Sequence, residues 1–302
     1  MNQNIKIVLL FCITAFFASC DYVATPLKPT TAIVSNDTNK VYKNVLVEDY
    51  TGSTCVNCPP AATELDSLIS LYGNRITPLS VNAGNFAVPV TTYSLNLQSA
   101  IGDAYDSFFN MSNTGNPCGM VNRKGNPLSS KYLLYPLWAS TTQNIILNDT
   151  AFIKLKLATT FDTTTKALTV QATSTFLKQL SGTYNLVVLL TQDSIIGPQK
   201  SGTLGEIANY VHRFVLRDAI TSTWGDVLVS AGANTNQVVV KNYNYTLNAT
   251  YPAAGTTNNP ANKPAIACKF KQCSIVAFIY DATQGNSTQY EVLQSMQKKI
   301  YP

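Results

Sequence analysis

The sequence predicts an α/β unit followed by an all-β, sandwich-like domain, and three observations carry that prediction. A strand-like run, a helical run and a second strand-like run follow one another between residues 44 and 83. Beyond Asp149 the pattern changes to short β-type runs separated by turn-rich segments. Length agrees with two domains, since removal of the first 19 residues, read below as an export signal, leaves about 283.

Residues 44–50 are alternating and apolar, as a strand requires. Residues 59–72 carry Ala61, Leu65, Leu68, Ile69 and Tyr72 at helical spacing, and residues 75–83 return to strand character. Residues 84–113 read as an insertion, irregular around Pro89 and helical over 95–109. Residues 119–123 predict another strand and 135–147 another helix, with Trp138 and Ile145, closing a first domain over 41–149. The second domain, 150–302, holds strands at 152–158, 167–175, 184–191, 237–247 and 274–281. Residues 210–220 fit either a helix or a strand, and the strand is preferred.

The start of the chain sets a compartment. Lys6, an apolar stretch from residue 7 to 17, and Ala18-Ser19 before Cys20 have the layout of a cleaved export signal. The stretch is too short for a membrane span. A cysteine at the cleavage point resembles a bacterial lipoprotein signal, in which Cys20 becomes the lipid anchor; the other reading is an ordinary secretory signal. Residues 20–40, with Pro26, Pro29 and many Thr, Ser and Asn but no apolar period, read as a tether. Without the signal the chain carries 20 basic and 16 acidic side chains, spread without a basic cluster, so nucleic-acid binding is unsupported. Charged residues are only 12% of the chain, which gives a surface of mostly neutral polar groups.

One constellation suggests chemistry. Cys55-Val56-Asn57-Cys58 lies between the first strand and the helix, with Pro59 and Pro60 following. At a helix start, unpaired backbone donors and the positive end of the dipole favour a thiolate. The two prolines cost little there, because the first turn has no internal acceptors for their missing donors. Three readings stay open: a redox dithiol, a structural disulfide, and zinc ligation. The disulfide would be a weak staple, since closing so short a loop stabilises by only about 2 kcal/mol. Zinc needs two more ligands, and His212, Cys268 and Cys273 lie far away in the sequence.

Here the chain resembles the thioredoxin superfamily, on VLVEDYTGSTCVNC and GNPCGMVNR. The resemblance implies that Cys55 attacks, Cys58 resolves the mixed disulfide, Asp49 is a buried acid that moves a proton at Cys58, and Pro117 is the cis-proline beside the active sulfur. Such exchange needs no bound cofactor. Thr54 and Val56-Asn57 depart from the usual Trp and Gly-Pro, which leaves redox potential and substrate open. EDYTGSTCVNCPPA, NPCGMVNRK, YVHRFVLRDAITSTWGD and CSIVAFIYD together resemble Bacteroidetes outer-membrane lipoproteins related to a 28-kDa outer-membrane protein. That resemblance implies a thioredoxin-like domain followed by a β domain and attachment to the membrane through lipid on Cys20. The partner is then a protein thiol or disulfide substrate or, for a non-enzymatic adhesion protein, a surface partner.

With Cys20 lipidated and Cys55 paired to Cys58, Cys118, Cys268 and Cys273 remain, so at least one is free or pairs between chains. An extended chain separates the Cα atoms of Cys268 and Cys273 by about 16 Å, beyond disulfide reach. Cys118 either looks onto the dithiol as a third thiol or is a small buried residue. His212, the sole histidine, is read as packing or hydrogen bonding rather than catalytic. Trp224, with Arg213 and Arg217 nearby, is read as a core aromatic beside surface cations, in preference to a ligand site.

Overall fold

In the computed structural model, which describes residues 40–252 and 265–301, β1 (Val45–Thr51) runs parallel to β2 (Ile76–Asn82) and antiparallel to β3 (Cys118–Val121). The crossover from β1 to β2 is helix α1 (Cys58–Tyr72). Alternation along β1 decides what each face meets. Val45 and Val47 pack with Ala61, Leu65 and Leu68 of α1 and with Trp138 and Ile145. Leu46 and Tyr50 point the other way, onto Tyr105, Phe109 and Met120. The expected signal, Cys20 and the tether through residue 39 lie outside the described residues.

Two helices start later than the periodicity predicts, each for a local reason. Helix α2 (Ala100–Phe109) begins where the Ser99 hydroxyl accepts from the Gly102 amide at 3.1 Å, an N-cap that fixes its first turn. Helix α3 (Trp138–Asn148) is preceded by a 3₁₀ turn at Tyr135–Leu137 that contains Pro136.

The expected all-β second domain does not stand apart as a sandwich of its own. Strands β7 (Tyr184–Gln192), β10 (Val215–Ala219), β15 (Cys273–Asp281) and β16 (Val292–Lys299) continue the sheet of β1 and β2, through the parallel pair Val215 and Ser80. With β4 (Leu133–Leu134) beside β3 and β11 (Asp226–Val229) on β7, nine strands form one mixed sheet among the described residues. β7 and β15 are nearly continuous apolar runs because both of their faces are covered. Val187, Leu189, Val276 and Phe278 join the core of Leu46 and Tyr50. Leu186, Val188, Ile275 and Ala277 face a separate antiparallel sheet of β5 (Ile153–Phe161), β6 (Ala167–Phe176) and β12 (Val238–Thr246). The sandwich therefore exists, but one of its layers is the sheet that also carries the dithiol. The ambiguous segment 210–220 is strand, broken at Arg213 and Phe214 between β9 (Gly205–His212) and β10.

A buried ion pair locks β1 to the end of β3. Arg123 donates through Nε and Nη2 to both carboxylate oxygens of Glu48, each at 2.7 Å, and both side chains are fully buried. The guanidinium also lies over the rings of Tyr105, Phe109 and Phe278 at 4.6 to 5.0 Å. Removing one partner strands the other charge in a dry core. Arg123→Met is expected to cost about 3–5 kcal/mol in urea denaturation, and Glu48→Leu with Arg123→Met less than Arg123→Met alone. Equal losses in the single and double variants would contradict this reading.

Candidate functional site

The dithiol loop begins where β1 ends. Gly52 sits against the chain at Phe86, where a Cβ would come within 2.3 Å of the Phe86 carbonyl, so only glycine lets the loop and the 3₁₀ turn Asn85–Ala87 approach. Thr54 fixes the same contact from its own side, donating to the Phe86 carbonyl from its amide at 3.1 Å and its hydroxyl at 2.9 Å. The turn closes with the Cys55 amide on the Gly52 carbonyl at 3.0 Å. Cys55 and Cys58 are joined by a disulfide with their Cα atoms 5.4 Å apart, and Cys58 opens α1 with no side-chain cap from Asn57.

Pro117 follows a cis peptide bond. Cys118 pairs with Tyr50, so Pro117 comes opposite Thr51, where β1 gives way to the dithiol loop. Asp49 is one residue back from Tyr50 and points to the helix side, where it lines a cavity of about 50 Å³ with Cys58, Leu65, Gln199, Tyr210 and His212. Its Oδ1 has no hydrogen-bond partner among the described residues. Burial raises the carboxyl to about 7.

Two further groups in the cavity are held uncharged, while Asp66 and Arg213, which also line it, pair with one another. Burial lowers His212 to about 4, partly offset by its hydrogen bond to the Pro198 backbone, and its Nε2 finds no partner among the described residues. Burial raises Tyr210 to about 12, with the nearby Asp49 and Asp66 adding to the rise. The Tyr210 and His212 rings meet edge to face, 4.9 Å between centroids. At neutral pH the cavity holds a half-protonated acid, a neutral imidazole and a phenol around one sulfur of the disulfide.

A hairpin covers the loop. β8 (Ile195–Ser201) pairs only with β9 among the described residues, and the two form a separate sheet. Gln199 donates from Nε2 to the carbonyls of Gly52 at 3.2 Å and Cys55 at 2.9 Å. The amides of Lys200 and Gly202 donate to Ser53 and Val56, both at 2.9 Å. Cys55 and Cys58 are each only 2% exposed as a result. With the hairpin closed, neither sulfur can be reached by another molecule, as an exchanging dithiol must be.

Other residues fall differently from their sequence readings. Cys118 packs with Leu46, Tyr50 and Met111 on the sheet face away from α1, so it is a buried small residue and no third thiol for the dithiol. His212, read as packing, lies in the cavity beside Cys58. The sequence carried one hint, because Tyr210 and His212 two apart on a strand share a face; Gln199 had none. Trp224 is half-buried and flanks the core instead of lying within it, packed on buried Tyr105 and exposed Phe108. Arg213 is exposed and paired to Asp66, whereas Arg217 is buried and not the surface cation expected. Cys268 and Cys273 are not held apart by extended chain: a 3₁₀ turn at Phe270–Gln272 brings their Sγ atoms to 3.7 Å.

Against known proteins, the model of the outer membrane protein Omp28 family matches residues 102–302, and the chain belongs to that family. The family associates this protein with the outer membrane of the cell envelope. The matched span begins within α2, after the dithiol. Among solved structures, HBP35 of Porphyromonas gingivalis is similar at 16% identity and a TM-score of 0.57, over 86% of this chain and 76% of that one. A protein from Agrobacterium tumefaciens is similar at 11% identity and a TM-score of 0.49, over 86% of this chain and 96% of that one. These likenesses concern the fold alone. No curated protein matches the chain.

Asp49 and His212 oppose each other in their effect on stability. Asp49 keeps its proton when folded up to about 7 but loses it near 3.8 when unfolded, so its burial lowers stability as pH rises between those values. His212 is neutral when folded down to about 4 but protonates near 6.5 when unfolded, so its burial lowers stability as pH falls through that window. Relative to wild type, Asp49→Asn is expected to gain about 4 kcal/mol between pH 4 and 7, and His212→Gln to lose about 3 kcal/mol of its relative stability between pH 4 and 6.5. Urea denaturation across pH checks both; difference profiles that stay level would mean that the two groups are solvated.

Proposed function

We propose that this Omp28-family protein is an envelope lipoprotein, anchored through lipid on Cys20, whose thioredoxin-like module exchanges thiols and disulfides at Cys55–Cys58. The observation that carries this reading is Asp49, a buried carboxyl whose Oδ1 has no partner among the described residues, in the cavity that Cys58 lines. An unpaired buried acid is costly to fold, and a purely structural disulfide gains nothing from one. The β1–α1–β2 crossover and the place of Pro117 opposite the loop support the same reading.

In the reducing direction, the Cys55 thiolate attacks a substrate disulfide and one substrate thiolate leaves. Cys58 then gives its proton to Asp49 and attacks the Cys55 sulfur, which releases the second thiolate and restores the internal disulfide. The opposite direction reverses each transfer, with Asp49 protonating Cys58 as it leaves. His212, neutral and with a free Nε2, stands ready to accept a proton or a hydrogen bond in the same cavity.

Access requires the hairpin to lift from the loop. Four hydrogen bonds hold it there, and at about 1 kcal/mol each they set a cost of about 4 kcal/mol, or roughly a thousandfold preference for the closed state. The burial of both sulfurs is the observation that favours a second reading, a non-enzymatic surface-binding lipoprotein with Cys55–Cys58 as a structural disulfide.

Redox titration without denaturant separates the two. Exchange predicts that the pair is reduced by dithiol buffers, that Cys58→Ser accumulates a mixed disulfide at Cys55, and that Gln199→Ala speeds trapping by about tenfold. A pair that resists reduction until the protein unfolds, with no trapped adduct, selects the binding reading. For the anchor, labelled lipid is expected on the wild-type chain and not on Cys20→Ser; equal labelling would overturn that part.

A further inference from the structure

A second pair of sulfurs lies far from the dithiol in sequence and on different elements. β13 (Thr250–Tyr251) pairs with β14 (Ile266–Ala267), and Cys268 follows directly, its amide bonded to the Ala249 carbonyl at 2.8 Å. The 3₁₀ turn then carries the chain into β15, which Cys273 opens. The Gln272 amide closes that turn on the Lys269 carbonyl at 2.7 Å. The two Sγ atoms are 3.7 Å apart, so modest side-chain rotation brings them to bonding distance, about 2.05 Å.

The pair is asymmetric. Cys268 is partly exposed, and Cys273 is buried at the start of β15. Beside both sits Arg217, 2% exposed, whose Nη2 donates to the Tyr251 carbonyl while Nε and Nη1 have no partner among the described residues. A guanidinium buried with free donors is expensive unless an anion meets it. Asp218 is one negative group acting on it and a thiolate at Cys268 can be another: the hydrogen bond between the two sulfurs lowers the Cys268 thiol below its ordinary range, burial works against that, and Arg217 and Lys166 lower it further. The same hydrogen bond and burial hold Cys273 well above that range. An accessible low thiol backed by a buried high one is the arrangement of an attacking and a resolving cysteine.

We propose that Cys268 and Cys273 form a second thiol–disulfide site, in which Cys268 reacts with a small disulfide from solvent and Cys273 closes the bond. Partial exposure of Cys268 suits a slender low-molecular-weight disulfide. The Cys268 thiolate attacks one sulfur of R–S–S–R, forming the mixed disulfide and releasing RS⁻. Cys273 passes its proton to that thiolate, attacks the Cys268 sulfur and releases the second RS⁻. Two cysteines are oxidised and the small disulfide is reduced to two thiols. The oxidised pair ties the β13–β14 ribbon to β15. This site is independent of the chemistry proposed at Cys55 and Cys58.

Lys269 and Lys271 lie between the two cysteines, so trypsin separates them and a bond shows as one linked peptide pair. The full chain, folded and incubated with oxidised glutathione, is expected to give that linked pair in a non-reducing map. Cys273→Ser is expected to hold glutathione on Cys268, with an alkylation midpoint for Cys268 below the usual thiol value of about 8.5. Cys268→Ser is expected to leave Cys273 unmodified. Two freely alkylated thiols in the wild-type map, together with no glutathione adduct in Cys273→Ser, would overturn the site; a midpoint at or above the usual value would overturn the role of Arg217. The map needs no variant, so it decides even where a substitution impairs folding.

Discussion

Keeping Asp49 dry requires three parts of the chain to meet at one point: the end of β1, the first turn of α1, and the hairpin of β8 and β9. Its carboxyl has no partner on Oδ1 among the described residues, so the cavity either holds a proton there or suffers an uncompensated charge. The surroundings are set for the first outcome, with a neutral His212 and a protonated Tyr210 as neighbours. A proton held beside the sulfur of Cys58 turns a buried disulfide into one whose leaving group can be neutralised as it departs. This single constraint orders the site, because it explains the hairpin that excludes water as well as the polar groups beneath it.

The hairpin reaches the dithiol loop as a second strand would reach an edge. Two backbone amides and one glutamine amide saturate four carbonyls of residues 52–56 that a bound peptide would otherwise use. Gly197 lets it lie flat on Leu95, where a Cβ would overlap the leucine side chain at 1.9 Å. Its cover is thus made of ordinary hydrogen bonds and close packing, each modest by itself, with Ile195 packed on Val215 of the nine-stranded sheet.

The elements around the dithiol were legible because each is a local signal: the strand at 45–51, the helix whose apolar residues recur every three or four positions, and the cysteine pair at their junction. What could not be read was partnership. The apolar runs of β7 and β15 announce strands covered on both faces, yet nothing in them says that they extend the sheet of β1 instead of closing a sandwich alone. Lys269 to Gln272 lacks the glycine or proline that marks a turn, so the approach of Cys268 to Cys273 comes from tertiary packing. His212 looked like a core histidine by composition and becomes a cavity residue only through the long-range docking of β9. The same holds for Arg217, whose buried guanidinium depends on the ribbon that brings Tyr251 to it.

The account turns on the protonation of one side chain. A carbon NMR titration of the Asp49 carboxyl, followed in oxidised and reduced protein, tests it most directly. The account predicts a midpoint near 7 in the oxidised protein and a higher one once Cys55–Cys58 is reduced, since a thiolate at Cys58 would disfavour a second negative charge. A midpoint in the ordinary range of aspartate, about 4, unmoved by reduction of the disulfide, would contradict it.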